Sequence, residues 1–254
     1  MLKIFKSIAV AFSMYSRIPM PKFRWATEDM KYHLIFFPWI GAVIGLIEYG
    51  WYCFGIYGGI GEICNLLVTL AIPILVTGGF HLDGLMDTED ALSSWRSREQ
   101  RLEILKDPHI GAFSVIRLVA YGLVFAAALS ELNGPARILW MGTFFLARCF
   151  SGFAVVTFPS AKRQGILATE AETAGRRPVQ IGLLVEAILI CGLMIYWMPK
   201  GGILVTLTGI ISLAAYYRQS LRKFGGITGD LAGWFLCRTE LWMTVVIFLA
   251  EIIG

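Results

Sequence analysis

Residues 78–90 read Gly-Gly-Phe-His-Leu-Asp-Gly-Leu-Met-Asp-Thr-Glu-Asp and follow directly on an apolar run, Ile63 to Val76. The apolar run has the composition of a membrane segment. After it come Asp83, Asp87 and Asp90, spaced four and then three apart. On a helix those three carboxylates share one face. Like charges placed that way repel, so a cation is expected against them. A solvated acidic helix end just outside a membrane is the plain alternative. Magnesium accepts hard oxygen ligands and a few carboxylates, which favours a divalent metal site that handles phosphate. His81 and Glu89 flank the set and need not be ligands.

Composition sets the frame for that motif. The chain has 254 residues, 57% of them hydrophobic and only 16% charged, and a mean hydropathy of +0.67. This is the profile of an all-α polytopic membrane protein forming one domain over residues 1–254, not of a soluble domain. Cys53, Cys64, Cys149, Cys191 and Cys237 lie in or beside apolar runs and form no CxxC pair. They read as buried small hydrophobes, with neither zinc nor a disulfide framework indicated. The first residues, MLKIFKSIAVAFSMY, imitate a signal peptide. Ser-Arg-Ile-Pro follows where a small-residue cleavage site would stand, so a retained interfacial helix is expected.

Seven transmembrane helices are expected, at about Leu34–Ile56, Ile63–Gly79, Ala112–Ser130, Ala136–Phe158, Val179–Met198, Gly202–Tyr217 and Trp234–Ile253. Most approach the roughly twenty residues that cross a hydrocarbon core, and the sixth is short. With seven spans, the N-terminal segment and the loops at 80–111, 159–178 and 218–233 share one side. They hold seventeen of the 22 Lys and Arg residues. The positive-inside rule puts that side, and with it the acidic loop at about 80–111, in the cytoplasm.

Two further clusters share the basic side. Residues 225–230 read Gly-Gly-Ile-Thr-Gly-Asp and open the last span. Backbone N–H groups and a carboxylate at a helix start suit phosphate or metal-phosphate, though a Gly-rich helix start capped by Asp230 explains them equally well. The loop from Ala161 to Leu167, with Lys162 and Arg163, reads as a solvated positive-inside loop. Arg148 falls in the middle of a span, where a charge is costly without a polar cavity or a partner. Glu186, Arg117 and Glu240 raise the same question, whereas Glu48 and Glu251 are placed near interfaces or facing neighbouring helices.

The run GGFHLDGLMDTEDAL, the later Lys106-Asp107-Pro108-His109-Ile110-Gly111, Ser16-Arg17-Ile18-Pro19, Phe37-Pro38-Trp39-Ile40-Gly41, Arg148 and GGITGD together resemble cobalamin synthase, the adenosylcobinamide-GDP ribazoletransferase family. The resemblance covers nearly the whole chain. It implies a Mg2+-dependent, multi-pass enzyme of a bacterial or archaeal cell (inner) membrane with its active site facing the cytoplasm. Its substrates would be adenosylcobinamide-GDP and α-ribazole or its 5′-phosphate, with GMP released and no nucleic acid involved. A homo-oligomer is left open.

On that reading Asp83, Asp87, Asp90 and Asp230 hold one or two Mg2+ against a pyrophosphate. Arg17, Lys106 and Arg148 are candidates to pair with phosphate oxygens. Asp107, Gly111, Gly226 and Thr228 line the substrate. A motif carboxylate, Asp83, is the preferred base for the attacking hydroxyl, with His81 as a base or an orienting group. Three places depart from the family pattern. Pro108-His109 stands for a usual Ser-Arg, Ala91 for Gly, and Leu231-Ala232-Gly233 for Leu-Gly-Ala. A neutral imidazole does not replace a fixed guanidinium, so a phosphate role at His109 is in doubt. A CDP-alcohol phosphotransferase is the nearest rival, but no Ala-Arg pair follows Asp83-Gly84 at that family's spacing. A secondary transporter with Arg117, Arg148 and Glu186 at mid-membrane is the rival from another class.

Overall fold

The computed structural model describes residues 2–21, 26–161 and 166–253. Lys22, Arg24, Lys162 and Arg163, part of the charge asymmetry above, lie outside the described residues. Among the described residues the chain is all-α: α1 (Leu2–Tyr15), two 3-10 turns (Thr27–Met30 and His33–Phe36), α2 (Phe37–Gly58), α3 (Glu62–Thr77), α4 (Phe80–Ser93), α5 (Arg98–Ile104), α6 (Ala112–Ser130), α7 (Gly134–Thr157), α8 (Ile166–Thr173), α9 (Arg176–Trp197), α10 (Pro199–Phe224) and α11 (Gly229–Ile253). A single isolated bridge, Ser160 to Ile227, interrupts this pattern among the described residues.

Every apolar run expected to span becomes a helix. The helix from His33 to Gly58, α6, α7, α9 and α10 are each long and apolar enough to cross a membrane. The count among the described residues is five, or six if α3 and α4 form one bent span. Of the seven expected separate spans, α11 is not among these, and α3 qualifies only jointly with α4. The 16 residues of α3 rise about 24 Å at the α-helical pitch, short of a hydrocarbon layer of about 30 Å. The sixth expected span is not short, because α10 runs for 26 residues. Its polar end, from Arg218 to Lys223, continues the helix beyond the apolar stretch that hydropathy detects.

α7 is the central helix, with 72% of its most apolar stretch buried, against 22% for α6 and α9. Trp140, Phe144 and Leu139 of α7 meet Ile40 and Ile44 of α2 in the main core. α9 by contrast presents Ile181, Leu184, Ile188 and Leu189 outward, a surface suited to lipid. Lipid tails are as apolar as these side chains, so close backbone approach and internal polar pairs hold such a bundle together. The α2–α7 crossing shows this. A β-carbon on Gly41 would lie 2.7 Å from the Phe145 amide nitrogen, and one on Gly45 would lie 2.9 Å from the Met141 carbonyl oxygen.

The feature that positions the site is the break after α3. Gly78 and Gly79 both take left-handed backbone conformations, φ +75° and +82°, which side-chain-bearing residues adopt at a cost. Thr77 helps close the bend: its hydroxyl donates to Pro73 O at 2.7 Å and accepts from Gly79 N at 3.3 Å. The chain leaves this elbow turned by 95°, and the expected acidic loop at 80–111 is in fact two helices joined by short turns. α4 carries four carboxylates in 14 residues and is not itself a span. α5 starts with a reciprocal cap between Ser97 and Gln100. It is tied to α10 by Arg98, whose Nε donates to Phe224 O at 2.8 Å.

Gly41→Ala should lower stability by about 1–3 kcal/mol through overpacking against α7. The expected outcome is a clear drop in the thermal midpoint of detergent-purified protein. Gly50→Ala, which meets open space, should leave the midpoint unchanged.

Candidate active site

The expected face of three carboxylates forms on α4, and a fourth joins it because α4 and α11 touch backbone to backbone. A β-carbon on Gly84 would lie 2.6 Å from the Asp230 carbonyl oxygen and 3.1 Å from its Cα. One on Gly233 would lie 3.0 Å from the His81 carbonyl oxygen. Glycine at both positions lets the helices approach to this distance, and the approach sets Asp230 beside Asp83 and Asp87. Thr228 begins α11: its hydroxyl accepts from Leu231 N at 3.2 Å and donates to the Asp230 carboxylate at 3.3 Å. Upstream, Gly226 lies against the chain after α7, where Ile227 N donates to Pro159 O and Ala161 N donates to Ile227 O, both at 2.9 Å. Gly226 and Thr228 thus shape the loop that delivers Asp230.

At the other end of the face, Asp90 packs on Gly111, the residue before α6; a side chain at Gly111 would occupy the Asp90 carboxylate's space. Ser114 of α6 fixes the same junction by donating to Met86 O at 2.9 Å. Glu89 points elsewhere. It accepts from Trp234 Nε1 at 2.8 Å and Arg238 Nη1 at 3.2 Å, with Arg117 Nε at 3.7 Å. It clamps α4 to α11 and α6, and this uses Arg117.

Asp87 records the electrostatics of the face. Burial, and then the neighbouring Asp83, Asp230 and Asp90, push its carboxyl up to about 6. Among the described residues no Lys, Arg or His forms an ion pair with Asp83, Asp87 or Asp90. An all-oxygen donor set with excess negative charge and a glycine at each crowded point suits a hard divalent cation. As the side chains stand, no group of three or more His, Cys, Asp or Glu among the described residues is already closed to hold a metal ion. Asp83 is exposed and free to turn.

Asp83 and Asp230 sit at one wall of a cavity of about 830 Å³. The other walls come from Tyr15 of α1, Phe37, Phe80, Ser151 of α7 and Glu170 of α8. His81 is buried between this cavity and a smaller apolar one of about 300 Å³ under α3 and α6. Its ring lies 3.8 Å from that of Phe80, centroid to centroid.

The other expected site residues are placed differently. Arg17 lies over the elbow: its backbone N–H donates to Val76 O at 2.8 Å, and its side chain packs on Gly78. Arg148 is 1% exposed and pairs with Glu240 of α11 at 2.9 Å, while also donating to Phe144 O at 2.9 Å. It borders the smaller cavity, not the larger, and its charge is matched inside the bundle. Lys106 and Asp107 are exposed on the loop before Gly111 and, among the described residues, contact none of the four aspartates. His109 turns back on Asp107, donating its backbone N–H at 3.0 Å. This bond and the imidazole hold the Asp107 carboxyl below its ordinary value. Glu186 accepts from Trp39 Nε1 at 2.9 Å. Glu48, expected near an interface or facing a neighbouring helix, is 1% exposed.

Sequence reading missed Tyr15 and Glu170, which meet at the cavity wall although they are 155 residues apart. Neither carries a motif. The signal available for the α4–α11 contact was one small residue on each helix, Gly84 and Gly233.

Breaking the buried pair at one partner should be costly. Arg148→Met alone leaves Glu240 uncompensated and is expected to cost about 3–5 kcal/mol. Arg148→Met with Glu240→Leu should recover most of that loss. A double mutant no more stable in detergent than the single one would show that the pair is not what Arg148 provides.

The family model of cobalamin-5-phosphate synthase matches residues 7–248. An adenosylcobinamide-GDP ribazoletransferase of Lachnoclostridium phytofermentans is 40% identical over 250 residues, covering 98% of this chain and 96% of that protein. Proteins of the same name are 30% identical over 244 residues in Clostridium botulinum, with 95% and 96% coverage, and 31% identical over 250 residues in Brevibacillus brevis, with 93% and 95% coverage. No solved structure matches the chain. With the family model spanning the helices that carry all four aspartates, the chain belongs to the cobalamin-5-phosphate synthase family of membrane enzymes.

Proposed function

We propose that this protein joins adenosylcobinamide-GDP to α-ribazole or its 5′-phosphate, releasing GMP, at the cytoplasmic face of the cell membrane. The observation that carries the reading is the meeting of Asp83, Asp87 and Asp90 with Asp230 through the Gly84 contact. In a chain of this family, those carboxylates at the wall of a cavity of about 830 Å³ are the group suited to a pyrophosphate.

In the reaction the ribazole hydroxyl oxygen attacks the cobinamide-side phosphorus. The bond from that phosphorus to the bridging oxygen breaks, the electron pair leaves with GMP, and the hydroxyl proton passes to a base. Phosphoryl transfer asks a protein mainly for positioning and charge neutralisation. Asp83, Asp87, Asp90 and Asp230 would hold Mg2+, which supplies neutralisation of the pyrophosphate and of the leaving oxygen. We assign the proton to Asp83, a reading supported by its exposure at the cavity wall. His81, packed on Phe80 and Phe37, keeps the start of α4 fixed and orients what lies beside it. Lys106 and Arg17 meet phosphate oxygens only if their loops fold over the bound substrate.

Purified protein supplied with both substrates should form GMP and the corrinoid product with Mg2+ and neither product with EDTA. Asp83→Asn and Asp87→Asn should each abolish turnover while the protein stays monodisperse in detergent. Near-wild-type activity in either variant, or turnover undiminished by EDTA, would overturn the metal assignment.

A further inference from the structure

The wall of the cavity facing the aspartates has its own polar group. Tyr15 Oη donates to Glu170 Oε1 at 2.7 Å. His33, fully buried, stacks on Tyr15 at an interplanar angle of 7° and a centroid distance of 6.1 Å. Its Nε2 lies 3.4 Å from the Tyr15 oxygen and 3.9 Å from Glu170. Glu170 is 4% exposed, and among the described residues the phenol is its only side-chain donor within hydrogen-bond distance. A carboxylate accepts at about four lone-pair sites, and burying one with so few partners is costly unless a further donor arrives. Beside it the rings of Phe37 and Phe80 lie 4.5 Å and 6.2 Å from that of Tyr15, and all three line the cavity.

We infer that Tyr15, Glu170 and the adjoining aromatic rings form the subsite for the guanine base of the nucleotide donor, with Glu170 accepting from the guanine N1–H and 2-amino groups. The inference rests on the reaction proposed above. The chemistry separates guanine from the other bases in that reaction. The ribazole base, substituted at its glycosidic nitrogen, has no ring N–H to give a carboxylate. Adenine turns a ring-nitrogen lone pair toward the carboxylate where guanine turns an N–H. An aromatic surface accepts any flat base, so the carboxylate sets the choice. Tyr15 and His33 position it: the phenol occupies one lone pair and leaves the remainder for the ligand.

The test is equilibrium binding of GMP, IMP and AMP to the full-length, detergent-purified protein with Mg2+ present. IMP lacks only the 2-amino group. Losing one hydrogen bond to a charged acceptor should weaken binding about tenfold, so the wild type should bind GMP about tenfold more tightly than IMP and bind AMP more weakly still. In Glu170→Gln the GMP-to-IMP ratio should fall to near one. Glu170→Asp, which keeps the charge but withdraws it by one methylene, should also lower the ratio and serves if the glutamine variant does not fold. A merely structural role would weaken both nucleotides equally and leave the ratio at its wild-type value, which overturns the assignment. A wild type that binds GMP but prefers it no more than IMP overturns it too. A wild type that binds no guanine nucleotide contradicts the proposed reaction itself, and the subsite falls with it.

Discussion

The site depends on one close approach, the contact of α4 with α11 at Gly84, Asp230 and Gly233. That contact brings a carboxylate from the far end of the chain to the acidic face of α4. It places the first acid of α11 beside the carboxylate face of α4, although such charges repel. The repulsion is opposed by packing on the other side of α4, where Glu89 holds Trp234, Arg238 and Arg117. The two faces of α4 therefore have different roles: one gathers Asp83, Asp87 and Asp90, and the other anchors the helix that carries them. The double glycine at 78–79 makes this possible, because only a sharp bend lets α4 leave the direction of α3 and lie across α11 and α6.

The membrane helices act as the rigid support. α7 is buried on nearly all sides and is joined to α11 by Arg148 and Glu240 in a region where an unmatched charge would be expensive. This fixes the depth and rotation of α11, and hence of Asp230 at its start. Functional side chains held on helix ends by packed helices stay closer to a productive geometry than side chains on free loops. The cavity sits at those ends, between α4 and α11 on one side and α1 and α8 on the other.

Much of this was legible in the sequence. The four-and-three spacing of Asp83, Asp87 and Asp90 gives one helical face wherever the segment is helical, and the apolar runs mark seven of the helices correctly. GGITGD could be read as a helix start with a useful carboxylate. The bend was not legible. Two glycines after an apolar run are equally compatible with a loop, and hydropathy does not measure direction, so the sequence alone suggests a loop where α4 forms and a full span at α3. Mid-span Arg148 is legible as a charge in need of a polar cavity or a partner, but the partner found lies 92 residues away on another helix, and periodicity carries no information on that pairing. Tyr15, His33 and Glu170 come from three separate elements, each unremarked by composition, and become a group only when the helices pack.

The central claim is that carboxylates from α4 and α11 form a single divalent-cation site. Electron paramagnetic resonance of Mn2+ titrated into detergent-purified wild type, Asp87→Asn and Asp230→Asn protein tests it without requiring turnover. The account predicts specific Mn2+ binding in the wild type, competed by Mg2+, and its loss in both variants alike, since residues far apart in the chain share one ion. Wild-type Mn2+ affinity retained in Asp230→Asn would contradict it and would leave the acidic face of α4 without its partner from α11.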